Sequence, residues 1–404
     1  MNISKRRLAV VGVLTLSLLA AACGGDDDDD TTATTAAPAA TTAAPGADTT
    51  EAMSPDTTEA MSPDTTEGGA PTTEAMSPAV DFSALSGSLV GSGATFPKSF
   101  YDEAIATLAD VAPDLTVEYG GGGSGKGRSD LQENVVDFAG TDGVVKAEDV
   151  PNYKGGEFVY VPTVIAPITI SYNLPGIDEL HLAPATIAAI FQLEVTNWND
   201  PMIAADNPDA TLPDLTITVA RRADGSGTTE NFSKFLNAAV GPDAGGTWML
   251  GAASELEWPE GTSAGDGNSG VAQIVSSTEG AIGYVDLSDA VANGLTFAAV
   301  QNKAGNYVLP TLEATTAAAE GAEIKDDLTF FLGWADGDES YPIAAQTWII
   351  AYTAQDDPAK AEALRGFLTY LLTDAQELAP DIDYAPLPAD LAARALENVA
   401  KIGA

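Results

Sequence analysis

The order of apolar and polar segments predicts an α/β protein. Three observations carry that reading: short apolar strands alternate with helical stretches from about Ser83 onward, three of the strands end in tight turns, and each of those turns leads into a helix with a Ser or Thr near its start. In chain order, strands are read at Leu89-Val90, Leu115 to Tyr119, Val135 to Phe138 and Phe158 to Tyr172, the last a long apolar run broken by Pro162 and Pro167. Further strands follow at Leu215 to Ala220, Ala281 to Val285 and Thr347 to Tyr352. Helices fit between them at Lys98 to Val111, Arg128 to Asn134, Pro184 to Phe191, Thr229 to Ala239, Val271 to Ser276 and Pro358 to Leu372. Helix 229–239 stops at Gly241-Pro242, a strong termination signal. A terminal helix, Ala389 to Ala400, starts after Pro388 with Asp390 in the first turn, where the helix dipole favours an acid.

The first 82 residues belong to another class. Lys5-Arg6-Arg7 precedes the apolar stretch Leu8 to Ala22, which is too short to span a bilayer comfortably, so residues 1–23 read as a signal peptide. It ends in Leu18-Leu19-Ala20-Ala21-Ala22-Cys23-Gly24, similar to a bacterial lipobox apart from Ala20 where Leu is usual. Cys23 is the one cysteine of the chain, which excludes a disulfide framework and leaves lipidation as its use. Residues 24–82 hold the acidic run Asp26 to Asp30, Thr/Ala/Pro tracts and near-copies of Thr-Thr-Glu-Ala-Met-Ser-Pro-Asp from Thr49, Thr57 and Thr72. Such a segment cannot bury a core and reads as a solvated tether, spanning about 40 Å as a random coil.

A net charge of −42 excludes nucleic acid, or anionic lipid met through a basic face, as partners. So acidic a surface fits a saline habitat and plain solubility equally. It does not exclude an anionic ligand, because surface charge is screened within about 8–10 Å while a buried anion feels its immediate dipoles and partners.

Three turns carry the chemistry. Gly91-Ser92-Gly93-Ala94-Thr95-Phe96-Pro97 follows the first strand, with glycines for a sharp turn, Thr95 near the cap and Pro97 at the first helical position. Gly120-Gly121-Gly122-Gly123-Ser124-Gly125-Lys126-Gly127 nearly matches the nucleotide-binding loop G-x-x-x-x-G-K-[ST]. Gly127 stands where the Mg²⁺-holding hydroxyl belongs, so the loop reads as an anion cradle without a nucleotide, and Lys126 as a solvated rim charge. Arg221-Arg222-Ala223-Asp224-Gly225-Ser226-Gly227-Thr228 joins a guanidinium fork to a helix N-terminus opening on Ser-Gly-Thr, whose free amides and hydroxyls suit an oxyanion. At the carboxyl ends of α/β strands, three such turns converge on one crevice.

A fourth segment, Val136-Asp137-Phe138-Ala139-Gly140-Thr141-Asp142, brings a carboxylate to that crevice. An ionised Asp142 accepts hydrogen bonds and donates none, so it admits an oxyanion that still carries a proton and refuses sulfate. Asp224 reads as the partner that orients Arg222.

On GSGATFP (91–97), VDFAGTD (136–142), RRADGSGT (221–228), TNWND (196–200), GAIGYV (280–285) and DYAPLP (383–388), the chain resembles the PstS family, phosphate-binding proteins of the high-affinity phosphate ABC transporter. The resemblance spans nearly all of residues 85–404; the glycine loop departs from the family's usual spelling in carrying Lys126. It implies a bilobal periplasmic-binding-protein fold of type II, with lobe 1 formed by 83–167 plus 341–404 and lobe 2 by 168–340. Two crossover segments would join the lobes, with the ligand in the cleft between them. It further implies phosphate ligands at Thr95, Phe96 (through its backbone N–H), Ser124, Asp142, Arg222, Ser226, Gly227 and Thr228, with no cofactor and no metal. The implied partners are inorganic phosphate and the permease and ATPase subunits of an ABC transporter. A monomer, held at the extracytoplasmic side of the cell membrane through its lipid alone, would deliver the ligand.

Two rival functions are weighed against this one. A receptor for sulfate or molybdate is disfavoured by Asp142. An exported phosphatase finds little support: His181 is the one histidine and has no Cys or second His at metal spacing. The G-x-S-x-G match at Gly261-Thr262-Ser263-Ala264-Gly265 follows Trp258-Pro259-Glu260 rather than an apolar strand, so it reads as a loop and not as a nucleophile elbow.

Overall fold

A computed structural model describes residues 80–404. The signal peptide, Cys23 and the tether up to residue 79 lie outside the described residues. Asp81 and Phe82, expected in the tether, are already folded: Asp81 caps the single turn Phe82–Ala84, and the Phe82 ring stands edge-on to Tyr370 with centroids 5.4 Å apart.

In chain order the elements are β1 (Ser86–Gly93), α1 (Lys98–Val111), β2 (Asp114–Gly120), α2 (Gly123–Gln132), β3 (Phe138–Thr141), β4 (Phe158–Tyr172) and β5 (His181–Leu182). There follow α3 (Pro184–Phe191), α4 (Pro201–Asp206), β6 (Thr218–Arg222), α5 (Gly227–Val240), β7 (Ser263–Gly265), α6 (Gly267–Ser277), β8 (Ala281–Asp286) and α7 (Leu287–Ala292). The chain closes with β9 (Thr296–Phe297), β10 (Ala299–Gln301), β11 (Tyr307–Val308), α8 (Leu312–Ala319), β12 (Ala344–Tyr352), α9 (Pro358–Leu372) and α10 (Ala389–Val399).

Nine strands form one sheet in the order β2-β1-β3-β12-β4-β8-β6-β7, with β9 added to β4; β11-β10-β5 form a small second sheet. At each end of the large sheet lies a parallel set, β2-β1-β3 and β8-β6-β7, and two long antiparallel strands join them. The long strand β4 is buried almost throughout, which explains its unbroken apolar sequence. It pairs with β12 as far as Pro167↔Ala344 and with β8 from Ile168↔Asp286. The prolines do not interrupt it. Pro162 sits beside the register shift at Gln346/Trp348, and Pro167 where β4 exchanges one partner for the other, both places that do not require its missing N–H.

Helices α1, α3 and α9 have the bounds read from the sequence. Other elements differ. The second helix begins at Gly123, not Arg128, so the glycine run is itself its first turn. The third strand is Phe138–Thr141 rather than 135–138, and Asp137 instead takes the N–H of Val90 on its carboxylate. Pro97 is the N-cap of α1 and Lys98 its first residue, while α6 starts four residues before Val271. Residues 263–265, read as a loop, are the edge strand β7, parallel to β6.

Candidate functional site

Five strands of the two parallel sets, β1, β2, β3, β6 and β7, deliver their carboxyl ends to the same cleft. From one side come the turn before α1, the first turn of α2 and the end of β3; from the other come the turns before α5 and α6. Two contacts show how closely the sides meet. The Gly125 N–H donates to the Gly225 carbonyl at 2.8 Å, and Asn231 of α5 donates through Nδ2 to the Asp142 carbonyl at 2.7 Å. Arg128 of α2 and Glu230 of α5 form an ion pair at 3.5 Å, with Lys234 on the same carboxylate at 2.7 Å.

The turn after β6 is built around Arg222, whose side chain is 1% exposed. Asp224 receives Nε on Oδ1 at 2.8 Å and Nη2 on Oδ2, a bidentate clasp that fixes the guanidinium plane. Nη1 donates to Thr228 Oγ1 at 3.3 Å and to Asn268 Oδ1 at 3.1 Å. Ser226 is the N-cap of α5: its Oγ accepts the Thr229 N–H at 3.0 Å, and its own N–H goes to the Ser254 carbonyl. Gly227 and Thr228 open the helix, where amides lack an intrahelical partner.

On the opposite wall, Ser124 and Asp142 are both buried. Ser124 Oγ donates to Asp142 Oδ2 at 3.3 Å and accepts the Asp142 N–H at 3.1 Å. Asp142 Oδ1 is buried with no partner. Burial pushes this carboxyl up to about 7, against the charge of Arg222, the bond from Ser124 and the charge of Arg128. Near neutral pH it therefore stands between its ionised and protonated forms, where the sequence alone implied a plain carboxylate.

Gly227 lies between the walls. A Cβ there would come within 2.5 Å of Asp142 Cβ and Oδ2 and of Ser124 Oγ, so only glycine lets the α5 terminus meet them. The same holds for Gly123, at φ +87°, where a Cβ would fall 2.1 Å from Asp224 Oδ2. Thr95 closes a third side. Its Oγ1 accepts the Asn268 N–H at 3.2 Å. The neighbouring Phe96 is fully buried, with its carbonyl taking the Tyr384 hydroxyl at 2.6 Å.

The structure thus brings Thr95, Phe96, Ser124, Asp142, Arg222, Ser226, Gly227 and Thr228 to one cleft, with Asp224 behind Arg222. Lys126 stays outside, 52% exposed and paired with Asp130 four residues on. His181 is exposed on β5 and stacks on Tyr307, 4.5 Å between ring centroids. Among the described residues, no group of three or more His, Cys, Asp or Glu is arranged to hold a metal.

Several polar residues of the site were not read from the sequence. Asn231, Gln346 and Asn268 are all buried. Gln346 Nε2 donates to Asn231 Oδ1 at 2.9 Å and to the Asp142 carbonyl at 3.3 Å. Nothing local marks Gln346, which lies within an apolar strand. Asn268 had a signal, the Gly265-Asp266-Gly267-Asn268 turn, hidden because β7 is only three residues long.

Comparison with known proteins agrees with this fold. The PBP superfamily domain matches residues 37–375. A phosphate-binding protein PstS from Pasteurella multocida is 33% identical over 309 residues, covering 75% of this chain and 87% of that protein. A PstS from Methanocaldococcus jannaschii is 34% identical over 337 residues, covering 77% and 83%. A putative phosphate ABC transporter substrate-binding protein from Clostridium perfringens, solved with bound phosphate, superposes with a TM-score of 0.55 at 17% identity. That match covers 75% of this chain and 100% of the other.

Proposed function

The chain belongs to the PBP superfamily and, within it, to the PstS phosphate-binding proteins, and on that footing we propose that its cleft captures inorganic phosphate for import by an ABC transporter. It is a substrate-binding protein of the type II fold, not an enzyme. The observation that carries the ligand assignment is Asp142: a buried carboxyl with one oxygen on Ser124 and the other free, facing a wall of donors.

The residues divide the work. Arg222, the amides of Phe96, Gly227 and Thr228, and the hydroxyls of Thr95, Ser226 and Thr228 donate to the ligand oxygens, and the Ser124 hydroxyl joins them on leaving Asp142 Oδ2. Asp142 takes part through a proton. Phosphate still carries one at neutral pH, so ligand and carboxyl share it, whichever holds it before binding. Sulfate brings none, and an ionised Asp142 then faces a bare oxyanion. Positive potential is not the source of binding, because Arg222 and Arg128 are already matched by Asp224 and Glu230.

The exchange of β4 partners between Pro167 and Ile168 supports lobes of 83–167 plus 341–404 and of 168–340, closing about β4 and β12. The sequence around Cys23 supports a lipid anchor and the tether a leash; on this reading a monomer works at the extracytoplasmic face of the membrane with permease and ATPase subunits as its partners. Calorimetry with phosphate tests the ligand: one site saturates per chain, and absence of binding heat at any phosphate concentration up to millimolar removes the reading.

A further inference from the structure

Asn268 is the second residue of α6, on a turn that none of the three glycine-bearing motifs includes. It is fully buried, and three of its polar groups can be traced. Its backbone N–H donates to Thr95 Oγ1 at 3.2 Å, and its Oδ1 accepts Arg222 Nη1 at 3.1 Å. Its Nδ2 has no partner. The orientation of the carboxamide is fixed by chemistry: a guanidinium only donates, so the oxygen must face Arg222 and the NH₂ must face away. A buried NH₂ without an acceptor is costly and rare in a folded protein. Here it is held by two residues, Thr95 and Arg222, that approach the cleft from opposite walls. Across the cleft, Asp142 Oδ1 is left in the same condition, an acceptor where Asn268 supplies a donor.

We propose that Asn268 is a direct ligand of the bound oxyanion, its Nδ2 donating to an oxygen while its Oδ1 holds Arg222. This rests on the phosphate reading of the cleft and adds to it a neutral side-chain donor, from a fourth strand-to-helix turn. A residue bonded to Thr95 and to Arg222 cannot keep both contacts unless the two walls are together, so the Asn268 donor is placed only when the cleft is shut.

The decisive measurement is NMR of the ¹⁵N-labelled wild-type protein with inorganic phosphate. A direct N–H···O–P bond gives a through-hydrogen-bond ³¹P coupling on the Asn268 side-chain amide. A structural residue that merely orients Arg222 gives none. Phosphate binding with no such coupling overturns the inference and leaves the phosphate reading intact; no phosphate binding at all overturns the reading itself. A mutational cycle supplies the second test. Asn268→Ala should weaken phosphate binding about 10- to 100-fold, the loss expected for one hydrogen bond to a charged acceptor. In an Arg222→Lys background most of that factor should persist. If Asn268→Ala costs nothing further there, the residue acts only through Arg222 and the proposal fails.

Discussion

On one wall of the cleft Arg222 enters with its charge already answered, clasped by Asp224 and braced by Thr228 and Asn268; on the other, Asp142 enters with no cation in contact and one oxygen unpartnered. The cation is the fixed, compensated group. The acid is the one left poised between protonation states. Affinity therefore belongs to the donor wall, where geometry is set before the ligand arrives, and selectivity to the acid wall. A basic pocket would have bound any small dianion, as Coulomb attraction does not distinguish phosphate from sulfate.

The largest effect should come from breaking the compensated wall. Arg222→Ala removes a donor and strands Asp224, whose side chain is only 18% exposed. Calorimetry should show a loss of about 3–5 kcal/mol in phosphate binding, as for truncating one partner of a buried pair; near-wild-type affinity would take Arg222 out of the site.

Asp142→Asn comes next and acts on selectivity. It exchanges an acceptor for a donor, so phosphate preference over sulfate should fall by a factor on the order of 10² or more, out of the roughly 10⁴–10⁵ such sites reach. The same variant has a stability signature. Burial raises the carboxyl from 3.8 to about 7, so the folded state holds a proton that the unfolded chain has released. That proton costs the ligand-free fold stability progressively as pH climbs from about 4 to about 7, and the loss is complete above that. Ligand-free Asp142→Asn should accordingly be more stable than wild type at pH 8 by about 2–4 kcal/mol and nearly equal to it at pH 3.5, by denaturant unfolding.

Gly227→Ala probes the contact between the walls. Its Cβ meets Asp142 and Ser124, so closure should suffer and phosphate affinity drop by about 1–3 kcal/mol. A first-turn helical position accepts alanine, and ligand-free stability should stay within about 1 kcal/mol.

Much of this comparison was open to a reader of the sequence, and the part that was not has a physical reason. Helices α1, α3 and α9 were legible to the residue because local signals mark their ends: Pro184 and Pro358 at first positions, Asp357 capping Ala359. Thr95, Arg222 and Ser226 were legible because turn chemistry is local too. The start of α2 was not, since four successive glycines argue against a helix until tertiary contact with Gly225 holds them. Gln346 and Asn231 reach Asp142 across long separations in sequence, and no local pattern records such a bond.

The smallest effect belongs to Lys126. Its exposed pair with Asp130 lies outside the cleft, so Lys126→Ala should change phosphate affinity by no more than about 0.5 kcal/mol at ordinary salt.

The claim that a proton on Asp142 sets selectivity is tested most directly by displacing bound phosphate with sulfate between pH 5.5 and 8.5. The structure predicts that the sulfate excess is smallest at pH 5.5, where Asp142 already carries a proton, and that it grows about tenfold per unit above pH 7, where sulfate must bring a proton onto Asp142 from water. Displacement at comparable concentrations at pH 8.5, or an excess that does not change with pH, would contradict it.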